Sequence, residues 1–371
     1  MKNYKKKLEN NLKIKLTSTK KTVTSMAIIM ITMLLIITTI DNLFTMKNAS
    51  AQTHVGTPGN DRGNNRITGD PNSFNDMYGD AFPSLPPGTQ GGNDQMIGGS
   101  NSINQIYGDS LEMNGARGGN DQIIGGSESV NFLVGDASQM SGGSKGGDDT
   151  ISSTGSGNVI SGDAEGMLSS TGGDDRLTVY ANGGEFNNLY GDSAGFMTSS
   201  TGGDDRINVN DGNDNSLFGD SDTMFDSQGG DDRLTSNDGS GNTLYGDAFQ
   251  MSGGSKGGDD RLTSGFGSDT MYGDAAFVDS SSTGGDDTLN AAKGGPVKGG
   301  QDVLYGDAPN TAEGNGGADH FIVGGNKDAT VKDYNEADGD KISGVINNPK
   351  LNEQQQVEGQ LNAMLLKGKS K

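Results

Sequence analysis

The chain contains no cysteine and only two histidines, His54 and His320. Disulfide bonds and thiolate metal sites are thereby excluded, and a histidine-based zinc site or histidine-dependent catalysis is disfavoured. Apolar residues make up 30% of the 371 residues, too few for a compact sandwich or an α/β core. Basic residues are scarce outside the N-terminus. The first 51 residues hold nine lysines and two acids, Glu9 and Asp41, so the rest carries 18 basic and 47 acidic residues. That balance excludes nucleic acid and anionic lipid as partners of the main body and favours cations or basic ligands. There is no H-E-x-x-H pair or Walker loop, which argues against an enzyme of those kinds.

What is abundant is glycine, with 63 residues, and a repeat. A step of the Gly-Gly-Asp-Asp type recurs, its last acid standing at Asp94, Asp121, Asp149, Asp175, Asp205, Asp232, Asp260 and Asp287. The intervals are 27, 28, 26, 30, 27, 28 and 27 residues. A Tyr-Gly-Asp step recurs with it, ending at Asp80, Asp109, Asp136, Asp163, Asp192, Asp220, Asp247, Asp274 and Asp307. Periods of this size denote a solenoid. Stacked units place like carboxylates in columns roughly 4.8 Å apart. Each neighbouring pair then repels by about 1 kcal/mol in water and by more inside a protein. Such columns call for cations.

The apolar positions follow the same period. One column reads Met96, Ile123, Ile151, Leu177, Ile207, Leu234, Leu262 and Leu289. A second reads Met77, Ile106, Leu133, Ile160, Leu189, Leu217, Leu244, Met271 and Leu304. Seven residues beyond it a third reads Met113, Met140, Met167, Phe196, Met224, Met251 and Val278. Helix is excluded, because apolar residues do not recur at helical spacing and glycine is everywhere. The expected fold is all-β: a right-handed parallel β-roll or β-helix solenoid built from repeats of about 27 residues. Whether a turn holds two strands or three is left open by the spacing. Single inward methionines read as core filler rather than soft-metal ligands.

Three further columns complete the pattern. Asn75, Asn104, Asn131, Asn158, Asn187, Asn215 and Asn242 are expected to form a hydrogen-bonded ladder between rungs. Tyr78, Tyr107, Tyr190, Phe218, Tyr245, Tyr272 and Tyr305 are expected to stack, with breaks at Val134 and Ser161. Arg176, Arg206, Arg233 and Arg261 form a basic column beside acids, read as offsetting their repulsion. The Tyr-Gly-Asp aspartates fit two roles, ligand or turn-former bonding backbone N–H groups.

Four segments follow along the chain. Residues 1–51 read as a secretory signal: a lysine-rich start, the uncharged run Met26 to Ile40, and Ala49-Ser50-Ala51 as a cleavage pattern. The run is short for a membrane span, which needs about 20 residues, so no stable span is expected after cleavage. Residues 52–313 are the repeats, 314–346 a C-terminal cap, and 347–371 a polar tail.

The Gly-x-Asp-x-apolar step resembles the nonapeptide of repeats-in-toxin (haemolysin-type) calcium-binding proteins. It stands here as Gly258-Asp259-Asp260-Arg261-Leu262, Gly267-Ser268-Asp269-Thr270-Met271, Gly300-Gln301-Asp302-Val303-Leu304 and Gly317-Ala318-Asp319-His320-Phe321. The segments Val331 to Tyr334 and Asp338 to Ile342 are similar to that family's closing segment. The resemblance implies Ca²⁺ held between rungs by aspartates and loop carbonyls, a chemistry suited to a hard cation. Carried over, the implied ligands are Asp94, Asp121, Asp149, Asp175, Asp205, Asp232, Asp260, Asp287, Asp302, Asp319, Asp269, Asp333 and Asp340. The period departs from two nonapeptides by about nine residues, and asparagine replaces the family's aspartate in most second strands. The function expected is a secreted or cell-surface calcium-binding repeat protein without catalysis, with extracellular polysaccharide or envelope components as further partners. The alternative is a polysaccharide-acting β-helix enzyme, for which the lysines at Lys293 and Lys298 are the one candidate cluster.

Overall fold

The computed structural model describes residues 51–56, 65–180, 184–291, 301–309, 316–324 and 328–344. Residues 1–50 of the expected secretory signal, the expected tail 347–371 and the segment from Lys293 to Lys298 lie outside the described residues. The described residues form 30 strands and no helix. Every strand pairs in parallel, and the strands make three sheets of 11, 8 and 11 members.

One turn shows why. Thr243–Tyr245 lies in the first sheet, Ala248–Ser252 in the second and Arg261–Thr263 in the third. The next turn opens with Thr270–Tyr272, which pairs with Thr243–Tyr245 in register. A turn therefore holds three strands, and the residues between Tyr-Gly-Asp and Gly-Gly-Asp-Asp contain the third. We call the three the tyrosine, methionine and arginine sheets. Only Gly246 and Asp247 separate the tyrosine strand from the methionine strand, so that corner is sharp. Gly257 to Asp260 turn the chain from the methionine strand into the arginine strand.

The core is a set of columns. Leu234, Leu262 and Leu289 stack in register on the arginine sheet, and Leu217, Leu244 and Met271 on the tyrosine sheet, all fully buried. Met140, Met167, Met197, Met224 and Met251 line the methionine sheet beside small residues such as Ala164 and Ala248. Each buried apolar side chain contributes roughly 1.5–3 kcal/mol. Only stacking of successive rungs makes the thin core continuous.

One position corrects the sequence reading. The seven-residue spacing selects Phe196, yet Met197 is the buried partner of Met167 and Met224, and Phe196 is exposed. The strand Ser193–Thr198 has six residues where the adjoining methionine strands have five, and the register shifts beside it. The added residue moves the inward position by one.

The asparagine ladder forms as expected. Asn75 donates to Asn104 at 2.9 Å, and Asn104, Asn131 and Asn158 each donate to the next at 2.8 Å. Asn187 and Asn215 continue it at 2.9 Å. The tyrosine column stacks from Tyr190 through Phe218, Tyr245 and Tyr272 to Tyr305, with ring centroids 4.6–5.1 Å apart. Val134 and Ser161 interrupt it; before the break Tyr78 and Tyr107 stack at 5.4 Å, and Tyr107 also donates to Glu165 Oε1 at 2.7 Å.

Candidate functional site

Two aspartate columns run side by side through the interior, at the corners flanking the methionine sheet. The first comes from Gly-Gly-Asp-Asp. Strand alternation turns its first acid outward and its second inward, so Asp174 is exposed and Asp175 buried. Each buried acid accepts a hydrogen bond at Oδ1 from the backbone N–H of its counterpart one rung earlier. Asp94 N–H donates to Asp121 at 2.6 Å, Asp149 to Asp175 at 2.6 Å, Asp205 to Asp232 at 2.7 Å and Asp287 to Asp319 at 2.9 Å. The other oxygen, Oδ2, has no hydrogen-bond partner in Asp121, Asp149, Asp175, Asp205, Asp232, Asp260, Asp287 or Asp319. It lies against the glycine of Tyr-Gly-Asp. A Cβ on Gly191 would fall 2.0 Å from Asp205 Oδ2 and 1.7 Å from the Gly219 carbonyl oxygen, so only glycine fits.

The second column is formed by the Tyr-Gly-Asp aspartates. Asp109, Asp136, Asp163, Asp192, Asp220, Asp247 and Asp274 are completely buried. Each accepts the N–H of the second glycine of the following Gly-Gly-Asp-Asp: Gly203 donates to Asp192 at 3.0 Å, Gly258 to Asp247 at 2.9 Å and Gly285 to Asp274 at 2.7 Å. This is the turn-forming role foreseen as one of two. Yet Oδ2 of Asp192, Asp220, Asp247 and Asp274 has no partner either. Successive carboxyls of this column approach within hydrogen-bonding reach of one another. Two carboxylates are both acceptors, so such a contact requires a proton or a cation.

Burial sets the electrostatics. Loss of solvation pushes Asp121, Asp149, Asp205, Asp220, Asp260 and Asp287 well above the ordinary carboxyl range. Repulsion from neighbouring aspartates adds to it. Asp136 and Asp192, better supplied with hydrogen bonds, are raised to about 6, and Asp247 to about 7.

The other expected ligands fall into three places. Asp319 and Asp340 extend the first column: Asp319 N–H donates to Asp340 Oδ1 at 3.0 Å. Asp333 closes the second, accepting from Gly306 N–H at 2.9 Å and Asp307 N–H at 3.1 Å. Asp269 and Asp302 belong to neither. They end the asparagine ladder, where Asn242 donates to Asp269 at 3.1 Å and Asp269 N–H donates to Asp302 at 2.9 Å. Burial first, then the nearby Asp302, raises Asp269 to about 7.

The donor chemistry fits a hard cation: buried carboxylate oxygens without partners, close to backbone carbonyls. Among the described residues, no three acidic or histidine side chains form a group able to hold a metal ion. His320, the histidine nearest these columns in sequence, hydrogen-bonds Ser343 at 2.8 Å. No protein-family model, curated protein or solved structure matches the chain.

Proposed function

We propose that the chain is a non-catalytic, secreted or cell-surface calcium-binding repeat protein, similar to the repeats-in-toxin kind, stabilised by Ca²⁺ at its aspartate columns. One observation carries this reading: the buried carboxylate oxygens of Asp121, Asp149, Asp175, Asp205, Asp232, Asp260, Asp287 and Asp319 have no partner. An ionised carboxylate in such a place is costly unless it is paired or coordinates a metal. A divalent cation supplies the missing charge, and Ca²⁺ accepts mixed carboxylate and carbonyl oxygen sets of irregular geometry. The acids of the first column would hold it, with neighbours such as Asp192, Asp220 and Asp247 completing the charge. Affinity per site of about 10⁻⁴ to 10⁻³ M is expected, as for extracellular modules. Coupling between adjoining rungs would sharpen the response.

Equilibrium dialysis of the full chain against Ca²⁺, with Mg²⁺ as competitor, tests this. Several Ca²⁺ ions per chain are expected, and fewer in a variant carrying Asp205→Asn and Asp232→Asn. A chain that retains no Ca²⁺ in excess of Mg²⁺ contradicts the proposal.

A further inference from the structure

The outer face of the arginine sheet and its entering corner carry two parallel charged lines. The first acids of Gly-Gly-Asp-Asp form one: Asp148, Asp174, Asp204, Asp231, Asp259 and Asp286, all exposed. They are held in line by the backbone, since Asp204 N–H donates to Asp174 Oδ1 at 3.1 Å, Asp231 to Asp204 at 3.0 Å and Asp259 to Asp231 at 2.9 Å. The other line is Arg176, Arg206, Arg233 and Arg261, exposed and paired in register from strand to strand. Threonine takes the arginine position at Thr150 and Thr288. In the four rungs from Asp174 to Arg261 the acid and the arginine stand two residues apart with a buried aspartate between them. They are therefore separated by about 7 Å across the face, and rungs recur roughly every 4.8 Å.

These arginines make no ion pair or side-chain hydrogen bond among the described residues. Like charges directly opposite one another in a sheet are destabilising, so four guanidiniums in a row need a counter-charge that the fold does not supply. The charged pattern is also local. In the rungs whose acid position holds Asn93 and Asn120 the arginine position holds Gln95 and Gln122, and before them it holds a single arginine, Arg66. Neutral residues satisfy the solenoid at both places.

We propose that this face pairs with the same face of a second copy of the chain. A two-fold axis parallel to the solenoid places each arginine line opposite the partner copy's acid line, and both lines have the same repeat by construction. Such an isologous interface is self-complementary. A free polyanion fits less well, because the acid line beside the arginines repels it, whereas a second copy brings an arginine line to face those acids. The proposal does not depend on calcium binding.

The test is sedimentation velocity of the full chain over a range of concentrations, with circular dichroism verifying β structure in every sample. Two variants copy residues already present in the early rungs: R176Q/R206Q/R233Q/R261Q, and D174N/D204N/D231N/D259N. The parent should form a dimer, and each variant should weaken it by about tenfold or more, through loss of several exposed pairs. Mixing the two variants should restore part of the association, because one copy's acids then meet the other's arginines. A parent that stays monomeric, or folded variants that associate as well as the parent, would overturn the proposal. So would arginine-dependent retention of a monomeric parent on immobilised polyuronate, which would make an external polyanion the occupant.

Discussion

Asp205→Asn separates the effect of charge from that of hydrogen bonding in the first column. Asp205 accepts the Asp175 N–H through Oδ1 at 2.6 Å, a bond that an amide oxygen also accepts. Its Oδ2 is buried without a partner and shares its surroundings with the Gly219 carbonyl oxygen. An amide nitrogen there faces an acceptor instead of repelling one. Burial raises the folded-state value of Asp205 above the ordinary 3.8, and the next largest effects are the charges of Asp192 and Asp232. A raised folded value means that stability is fully present below about pH 4 and is lost as pH rises toward and through the folded value. Each pH unit over which such a carboxyl is kept protonated above its ordinary value of 3.8 costs about 1.4 kcal/mol. Without divalent cations, the parent should therefore lose β structure as pH rises from about 4, and Asp205→Asn should keep it to higher pH. With Ca²⁺ at saturation the order should reverse, because the variant lacks one carboxylate. The assay is far-UV circular dichroism against pH in chelator, paired with urea unfolding in Ca²⁺. Coincident pH profiles for parent and variant in chelator would refute the assignment of buried charge to Asp205.

Two other substitutions probe the frame around the columns. Gly191→Ala places a Cβ 1.7 Å from the Gly219 carbonyl oxygen, and thermal unfolding should show a loss of about 3 kcal/mol or more, or no folded protein. Asn187→Ala removes the acceptor for both the backbone N–H and the Nδ2 of Asn158, together with the donor to Asn215. Unsatisfied buried donors cost about 1–3 kcal/mol each, so urea unfolding should register a loss of roughly 3 kcal/mol, whereas Asn187→Asp should lose stability mainly as pH rises above the carboxyl range.

The repeat made much of this architecture legible. A period kept for eight rungs names the columns directly, and the asparagine ladder and the tyrosine stack follow from residues recurring one turn apart. Three strands per turn were not legible. The corner between the tyrosine and methionine strands is only Gly-Asp, as at Gly246-Asp247, which in sequence looks like a continuing loop. The choice of Phe196 over Met197 failed for a similar reason, since a one-residue insertion shifts the register without any mark in composition. The Tyr-Gly-Asp acids could not be separated into ligands and turn-formers, because both roles place an aspartate after glycine. In the structure they bond backbone N–H groups and still present unpartnered oxygens to one another. The arginine column beside the acids suggested internal neutralisation, yet the pleat sends Asp174 and Arg176 outward from neighbouring positions without an ion pair.

Calcium-coupled stability of the aspartate columns is tested most directly by far-UV circular dichroism of the full chain at neutral pH during a Ca²⁺ titration, with Mg²⁺ as control. The account predicts a cooperative gain of β signal with Ca²⁺ that Mg²⁺ does not reproduce. A β spectrum that is the same in chelator and in Ca²⁺ at neutral pH would contradict it.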